Sequence, residues 1–243
     1  MNTQPHDQTR GDSTPFFQDN QAAPLSRNEV ASLCMKAARG AGMSWGMAEE
    51  AGFAAAWLAM HGIDGPGYLC THLKQAQGRE WAELCPSVAR GDWRAAGGRA
   101  LCPIVLGATL CDYAALSDGP VADCSITLGK VDCPILMLPF LANIAQKNGV
   151  SITVSWAGGS VVVGQGSDWP ETASGALAAL PSEAELSLTA QQGVATDPPA
   201  GQSPKANTGA DTISMLNTFA MRTTVPASEQ SRAGAGSTLD DND

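Results

Sequence analysis

The chain has 243 residues, a formal net charge of −10 from 14 Lys and Arg against 24 Asp and Glu, and only 5% aromatic residues. No basic run or patch occurs, which excludes phosphate-backbone recognition of nucleic acid, because that needs clustered cations. No apolar run approaches the roughly 20 residues of a membrane helix, and the N-terminus lacks the basic start and apolar stretch of a signal peptide, so a cytoplasmic protein is expected.

Residues 1–24 are polar without an apolar period and read as a disordered arm. Ser26-Arg27-Asn28-Glu29 then forms a capping box, with Leu25 before it as a staple. Val30, Leu33, Cys34, Ala37 and Ala41 recur at helical spacing, predicting a helix over 27–39 that Gly40 and Gly42 stop. Ser44 can cap a second helix from Trp45 to His61, whose apolar stripe reads Gly46, Phe53, Trp57 and Met60. A turn at Asp64-Gly65-Pro66-Gly67 leads into a shorter helix over 69–77. Residues 99–116 stay ambiguous, because Pro103 and Gly107 interrupt a helix-like pattern. Cys-Pro-Ile stands at 102 and again at 133, a weak self-similarity.

The period then changes. Residues 124–128 and 185–189 alternate, with Ser and Thr on one face, and a helix is predicted over 139–147. Residues 151–156 alternate into Gly158-Gly159 and Val161-Val162-Val163, a hairpin signature. Helices first and a small antiparallel sheet afterwards make the predicted class α+β, a single domain over 25–190. Residues 191–210 read as a flexible linker, and 211–243 as a helix and motif segment returning to the domain.

Seven cysteines, at 34, 70, 85, 102, 111, 124 and 133, include no CxxC or CxxH pair, so neither a metal site nor a disulfide framework is expected. They read as small buried thiols. Gly40, Gly42 and Gly46 follow a helix rather than a strand, which excludes the dinucleotide-binding turn, and no cofactor is expected. Of the three histidines, neither His61 nor His72 has a recognisable Ser or Cys partner motif, so no nucleophilic triad is expected.

The glycine corner and the helix after it hold the candidate site. Free N–H groups at Ser44, Trp45 and Gly46 suit a carboxylate or phosphate, with Arg39 as countercharge. Glu50 falls inside the apolar stripe and Glu49 beside it; a carboxylate held on a buried face must be paired, or it becomes a usable acid or base. Glu50 and Glu49 are therefore the candidate catalytic residues, and Arg39, Ser44 and Trp45 the candidate binding residues.

The stretches LSRNEVASLCMKAARGAGMSWGMAEEAG and RTTVPASEQSRAGAGSTLDDND resemble a proteobacterial family catalogued only as a domain of unknown function. The resemblance implies no reaction, fold or cofactor. It does imply that the closing stretch has a defined place, which adds Ser228, Glu229 and Arg232 to the candidate binding residues; Thr224 stands where an aromatic is expected. Two readings follow. One is an enzyme, or enzyme subunit, acting on a small polar, carboxylate-bearing metabolite at the Gly40–Glu50 corner, closed by the C-terminal segment. The other is a non-catalytic accessory protein docking onto a partner enzyme.

Overall fold

The computed structural model describes residues 25–95, 98–121, 125–164, 173–192 and 207–223. The expected arm at 1–24, most of the linker and the closing stretch from 224 onward lie outside the described residues.

The capping box forms as read: the Ser26 amide donates to the Glu29 carboxylate at 2.7 Å and the Glu29 amide to Ser26 Oγ at 3.3 Å. It opens α1 (Arg27–Gly40), whose buried face is Val30, Cys34, Ala37 and Ala38. Ser44 caps α2 (Trp45–Met60). The core face of α2 is not the predicted stripe of large residues but an alanine face, with Ala48, Ala51, Ala55, Leu58 and Ala59 buried. Small side chains let α1 and α2 approach closely, so that a Cβ on Gly52 would fall 2.6 Å from the Ala31 carbonyl oxygen. Gly46 is exposed and Met60 is 39% exposed.

Asp64 caps α3 (Gly65–Ala76), accepting from the Gly67 amide at 3.1 Å, with Pro66 in the first turn where its missing N–H costs nothing. The short α4 (Trp81–Leu84) and a two-stranded ribbon, β1 (Pro86–Ala89) and β2 (Asp92–Ala95), follow. The ambiguous stretch resolves as α5 (Pro103–Asp112), with Pro103 starting the helix rather than breaking it. Then come β3 (Ser125–Asp132), a 3₁₀ turn (Pro134–Met137), α6 (Leu138–Asn148), β4 (Val150–Trp156), β5 (Gly159–Val163), α7 (Ser174–Ala178), β6 (Glu183–Gln192) and α8 (Ala210–Ala220).

The fold is α+β. Six strands form one sheet in the order β1-β2-β3-β6-β4-β5. It is larger than the small antiparallel sheet expected, and it is mixed, because β2 runs parallel to β3 while the other neighbours are antiparallel. Along β3, β4 and β6 apolar residues face the helices and most Ser, Thr and charged residues face outward, the buried Asp132 and Ser151 excepted. Helices α5 and α6 pack on each other, α2 packs on both, α1 on α2, and α8 on α1. Two glycines permit close approaches between helices. A Cβ on Gly40 would overlap the Phe219 carbonyl, where α8 meets α1, and one on Gly107 would overlap the Phe140 ring, where α5 meets α6.

Gly107→Ala is therefore expected to overpack that junction and lower stability by about 1–3 kcal/mol, read as a lower urea midpoint at unchanged slope. An unchanged midpoint would mean that the Phe140 ring yields freely. Among the described residues no helix is long and apolar enough to cross a membrane.

Candidate functional site

The described part of the predicted corner brings Arg39 and Trp45 together but does not join them to Glu49 and Glu50 in one site. Arg39 donates from Nη1 to the Met43 carbonyl at 2.7 Å and lies over the Trp45 ring, 5.2 Å from its centroid. It is thus engaged locally rather than held free for a ligand. Ser44 Oγ accepts from the Met47 amide at 3.4 Å, and Trp45 is 58% exposed. Glu49 points into an open cleft of about 520 Å³ between α1 and α2, lined also by Arg27, Ser32 and Phe53. Glu50 faces the other way, towards α5: its carboxyl is raised by partial burial, then by Asp112 and Glu49. Adjacent residues on a helix point about 100° apart, which separates the two carboxylates. Ser228, Glu229 and Arg232 lie outside the described residues.

A different constellation does converge, in the core. His72, on the buried face of α3 beside Leu69 and Leu73, lies between two groups from distant parts of the chain. Its Nδ1 is 2.5 Å from Asp132 Oδ2, and its Nε2 is 3.2 Å from Cys102 Sγ. This corrects the expectation that His72 lacks a nucleophile partner. His61, by contrast, stacks on Trp57 and bonds the Trp57 carbonyl at 2.8 Å.

The C-terminal end of β3 brings the pieces together. Leu101 forms a one-residue parallel bridge with Val131: its amide donates to the Lys130 carbonyl at 2.7 Å, and its carbonyl accepts from the Asp132 amide at 3.0 Å. Cys102 and Asp132 therefore leave neighbouring chain segments at the same level. A bulge at Gly129 shifts the register of β3 against β6, so Val131 turns to the core and Lys130 outward to Glu183 at 3.3 Å. Just after Asp132 the chain kinks through Cys133, whose left-handed backbone (φ 41°) is unusual for a residue with a Cβ. The Cys133 amide secures the kink by donating to the Ser182 carbonyl at 2.7 Å. The two Cys-Pro-Ile segments thus do the same thing side by side: each ends a sheet contact and opens a helical turn.

Electrostatics separate Cys102 from the other thiols. Burial, with smaller contributions from Asp64 and Cys70, pushes Cys34 up to about 12. Cys102 is at least as buried, yet its pKa is lowered below 9.0. Burial pushes it up, but the facing His72 charge, their hydrogen bond and the α5 amides of Val105 and Ile104 outweigh that. Those amides point towards the sulfur without closing a cap hydrogen bond. Burial would push the His72 imidazole down; the Cys102 charge and the bonds to Asp132 and Cys102 raise it to about 9 instead. With its amide nitrogen turned inward, the exposed Gln75 donates to both Asp132 oxygens, at 2.9 Å to Oδ2. His72 thus favours the ionised form of the Cys102 thiol, while Cys102 and Asp132 favour the charged imidazole.

Among the described residues no three His, Cys, Asp or Glu side chains converge on a point that could hold a metal ion. The imidazole stands between thiol and carboxylate, so those two do not face one another. Fold and site together define an α+β protein with a core Cys–His–Asp relay at a helix N-terminus. Residues 25–102 match the model of a family described as a protein of unknown function (DUF3726), in line with the resemblance of the front stretch. The matched span contains His72 and ends at Cys102, short of Asp132 and of the closing stretch. No curated protein and no solved structure matches the chain.

Proposed function

We propose that the protein is an enzyme that uses Cys102 as a nucleophile in acyl transfer or hydrolysis. The observation that carries this reading is the relay itself, Cys102 Sγ to His72 Nε2 at 3.2 Å and His72 Nδ1 to Asp132 at 2.5 Å. In that role the thiolate attacks an acyl carbon, and His72 supplies the proton to the leaving group and then activates water. Asp132 fixes the imidazole tautomer and supports its charge. The amides of Ile104 and Val105, already turned to the sulfur, lie where an adjacent oxyanion would develop.

The nucleophile has no exposed surface, so the substrate is a compact acyl donor. The small carboxylate-bearing metabolite read from the sequence fits this class once activated as an ester, thioester or amide. A reducing, cytoplasmic setting suits a free thiolate.

The same burial favours a second reading, an accessory protein that docks on a partner enzyme and uses the relay only to satisfy polar groups in its core. The test is to incubate the reduced full chain with p-nitrophenyl acetate and with a small acetyl thioester, and to map the adducts by mass. Under the first reading Cys102 is acetylated at least about 100-fold faster than Cys34, and His72→Gln removes the preference. Acetylation confined to the more exposed thiols would leave the accessory reading.

A further inference from the structure

Cys102 has a thiol neighbour that the relay does not use. The Cys102 amide donates to the Leu84 carbonyl at 3.3 Å, which sets the chain at Cys85 directly alongside the chain at Cys102. The Leu84 carbonyl and the Cys85 amide belong to one peptide unit, so this bond sets Cys85 beside Cys102, and a disulfide needs Cα atoms about 4.4–6.8 Å apart. Cys85 is half-buried where Cys102 is fully buried, and neither is in a disulfide. An ion pair from Arg99 to Glu83, at 3.2 Å, ties the loop before Cys102 to α4, just before Cys85, and so holds the two segments together.

We infer that Cys85 is the resolving partner of Cys102, and that hydroperoxides close a Cys85–Cys102 disulfide which shuts the site. The inference rests on the nucleophilic reading of Cys102. In the first step the Cys102 thiolate attacks the terminal oxygen of the hydroperoxide. The O–O bond breaks, Cys102 becomes a sulfenic acid, and the alkoxide takes the His72 proton to leave as an alcohol. In the second step the Cys85 sulfur attacks the sulfenic sulfur. An S–S bond forms, the S–O bond breaks, and the departing hydroxide takes the Cys85 proton, relayed through His72, to leave as water. Two thiols lose two electrons and one peroxide gains them.

The electrostatics agree with this assignment of roles. Cys85 is raised by burial and then by the charge of Cys102, whereas Cys102 is lowered, so Cys102 ionises the more readily of the two. Attack on peroxide needs the thiolate, which selects Cys102 as the peroxidatic sulfur and leaves Cys85 to resolve. Cys133, the other thiol near Cys102, is pushed up to about 12 by burial and by Asp132, and its backbone is fixed by the left-handed kink.

The test treats the native full chain with one equivalent of hydrogen peroxide, blocks remaining thiols and maps the linked peptides. The expected product is one intramolecular Cys85–Cys102 link, reversed by dithiothreitol, with acetylation of Cys102 lost in the oxidised form and restored on reduction. In Cys85→Ser, whose fold is checked by circular dichroism, Cys102 should instead stay as a sulfenic acid that dimedone captures. A Cys102–Cys133 link, a link between chains, or no link with Cys102 unreacted would overturn the inference. Acetylation of reduced Cys102 without the link sinks this inference alone, whereas the link without acetylation sinks the acyl-transfer reading alone.

Discussion

Replacing His72 by Gln is expected to send the Cys102 pKa from below the usual thiol value towards that of Cys34, about 12. Cys34 serves as an internal comparison, being a buried thiol with no imidazole beside it. Burial is the largest cause that raises Cys34, so most of the difference between the two thiols is what His72 and the start of α5 contribute. The measurement is the ultraviolet absorbance of the thiolate, titrated in the wild type and in His72→Gln, with Cys102→Ala to assign the signal. It needs no reagent to reach the buried sulfur. A wild-type chain with no thiolate below pH 8, or a His72→Gln chain unchanged from it, would remove the basis of the relay.

The same pair sets a pH dependence of stability. The His72 pKa is raised from 6.5 to about 9, so its own contribution is complete below 6.5 and is lost as pH rises through about 9. The Cys102 pKa is lowered from 9.0, so its contribution is complete above 9.0 and is lost as pH falls through its folded value. Stability from His72 is therefore lost on the alkaline side and stability from Cys102 on the acid side. Urea unfolding of wild type and of the Cys102→Ala, His72→Gln double variant across pH 5–9 should show that difference.

The helical front was legible because its signals are local. Ser26 with Glu29, and Ser44 before Trp45, announce helix starts within four residues, and both caps form. The β4–β5 hairpin is equally local, a strict alternation around Gly158-Gly159. The core face of α2 does not follow the large side chains Phe53, Trp57 and Met60, because alanines allow the closest helix contact and so mark the core. Strands β1 and β2 have only four residues each, too few for a period to emerge.

The relay stayed hidden for a different reason. Its members stand 30 and 60 residues from His72, and no spacing rule links a helix face, a helix start and a strand end. Two residue-level signals do point to it. Pro103 after Cys102 is a helix starter, which places the thiol at a positive helix end. His72, between Leu69 and Leu73 on an apolar face, needs a buried partner.

That partner defines the second large effect. Asp132 is buried, accepts from His72 Nδ1, and receives the Gln75 amide from the solvent side. Asp132→Ala leaves an imidazolium in the core with no acceptor at Nδ1, and breaking a buried charged pair by removing one partner costs about 3–5 kcal/mol. Asp132→Asn keeps the shape and one acceptor oxygen, so the expected loss is smaller, about 1–2 kcal/mol. The two variants therefore separate support from packing: alanine removes both, asparagine only the charge. Both should lower the His72 pKa, since the bond to Asp132 is among the causes that raise it, and this is readable from the imidazole carbon and nitrogen shifts in NMR. A purely structural carboxylate would give the stability loss in Asp132→Ala with no movement of the His72 titration in Asp132→Asn. If Asp132→Ala unfolds too readily to be studied, the asparagine variant still decides the matter, because its titration is measured in a folded chain. Equal stability of Asp132→Ala and wild type would show that His72 stays neutral, and the thiolate would then have lost its counterion.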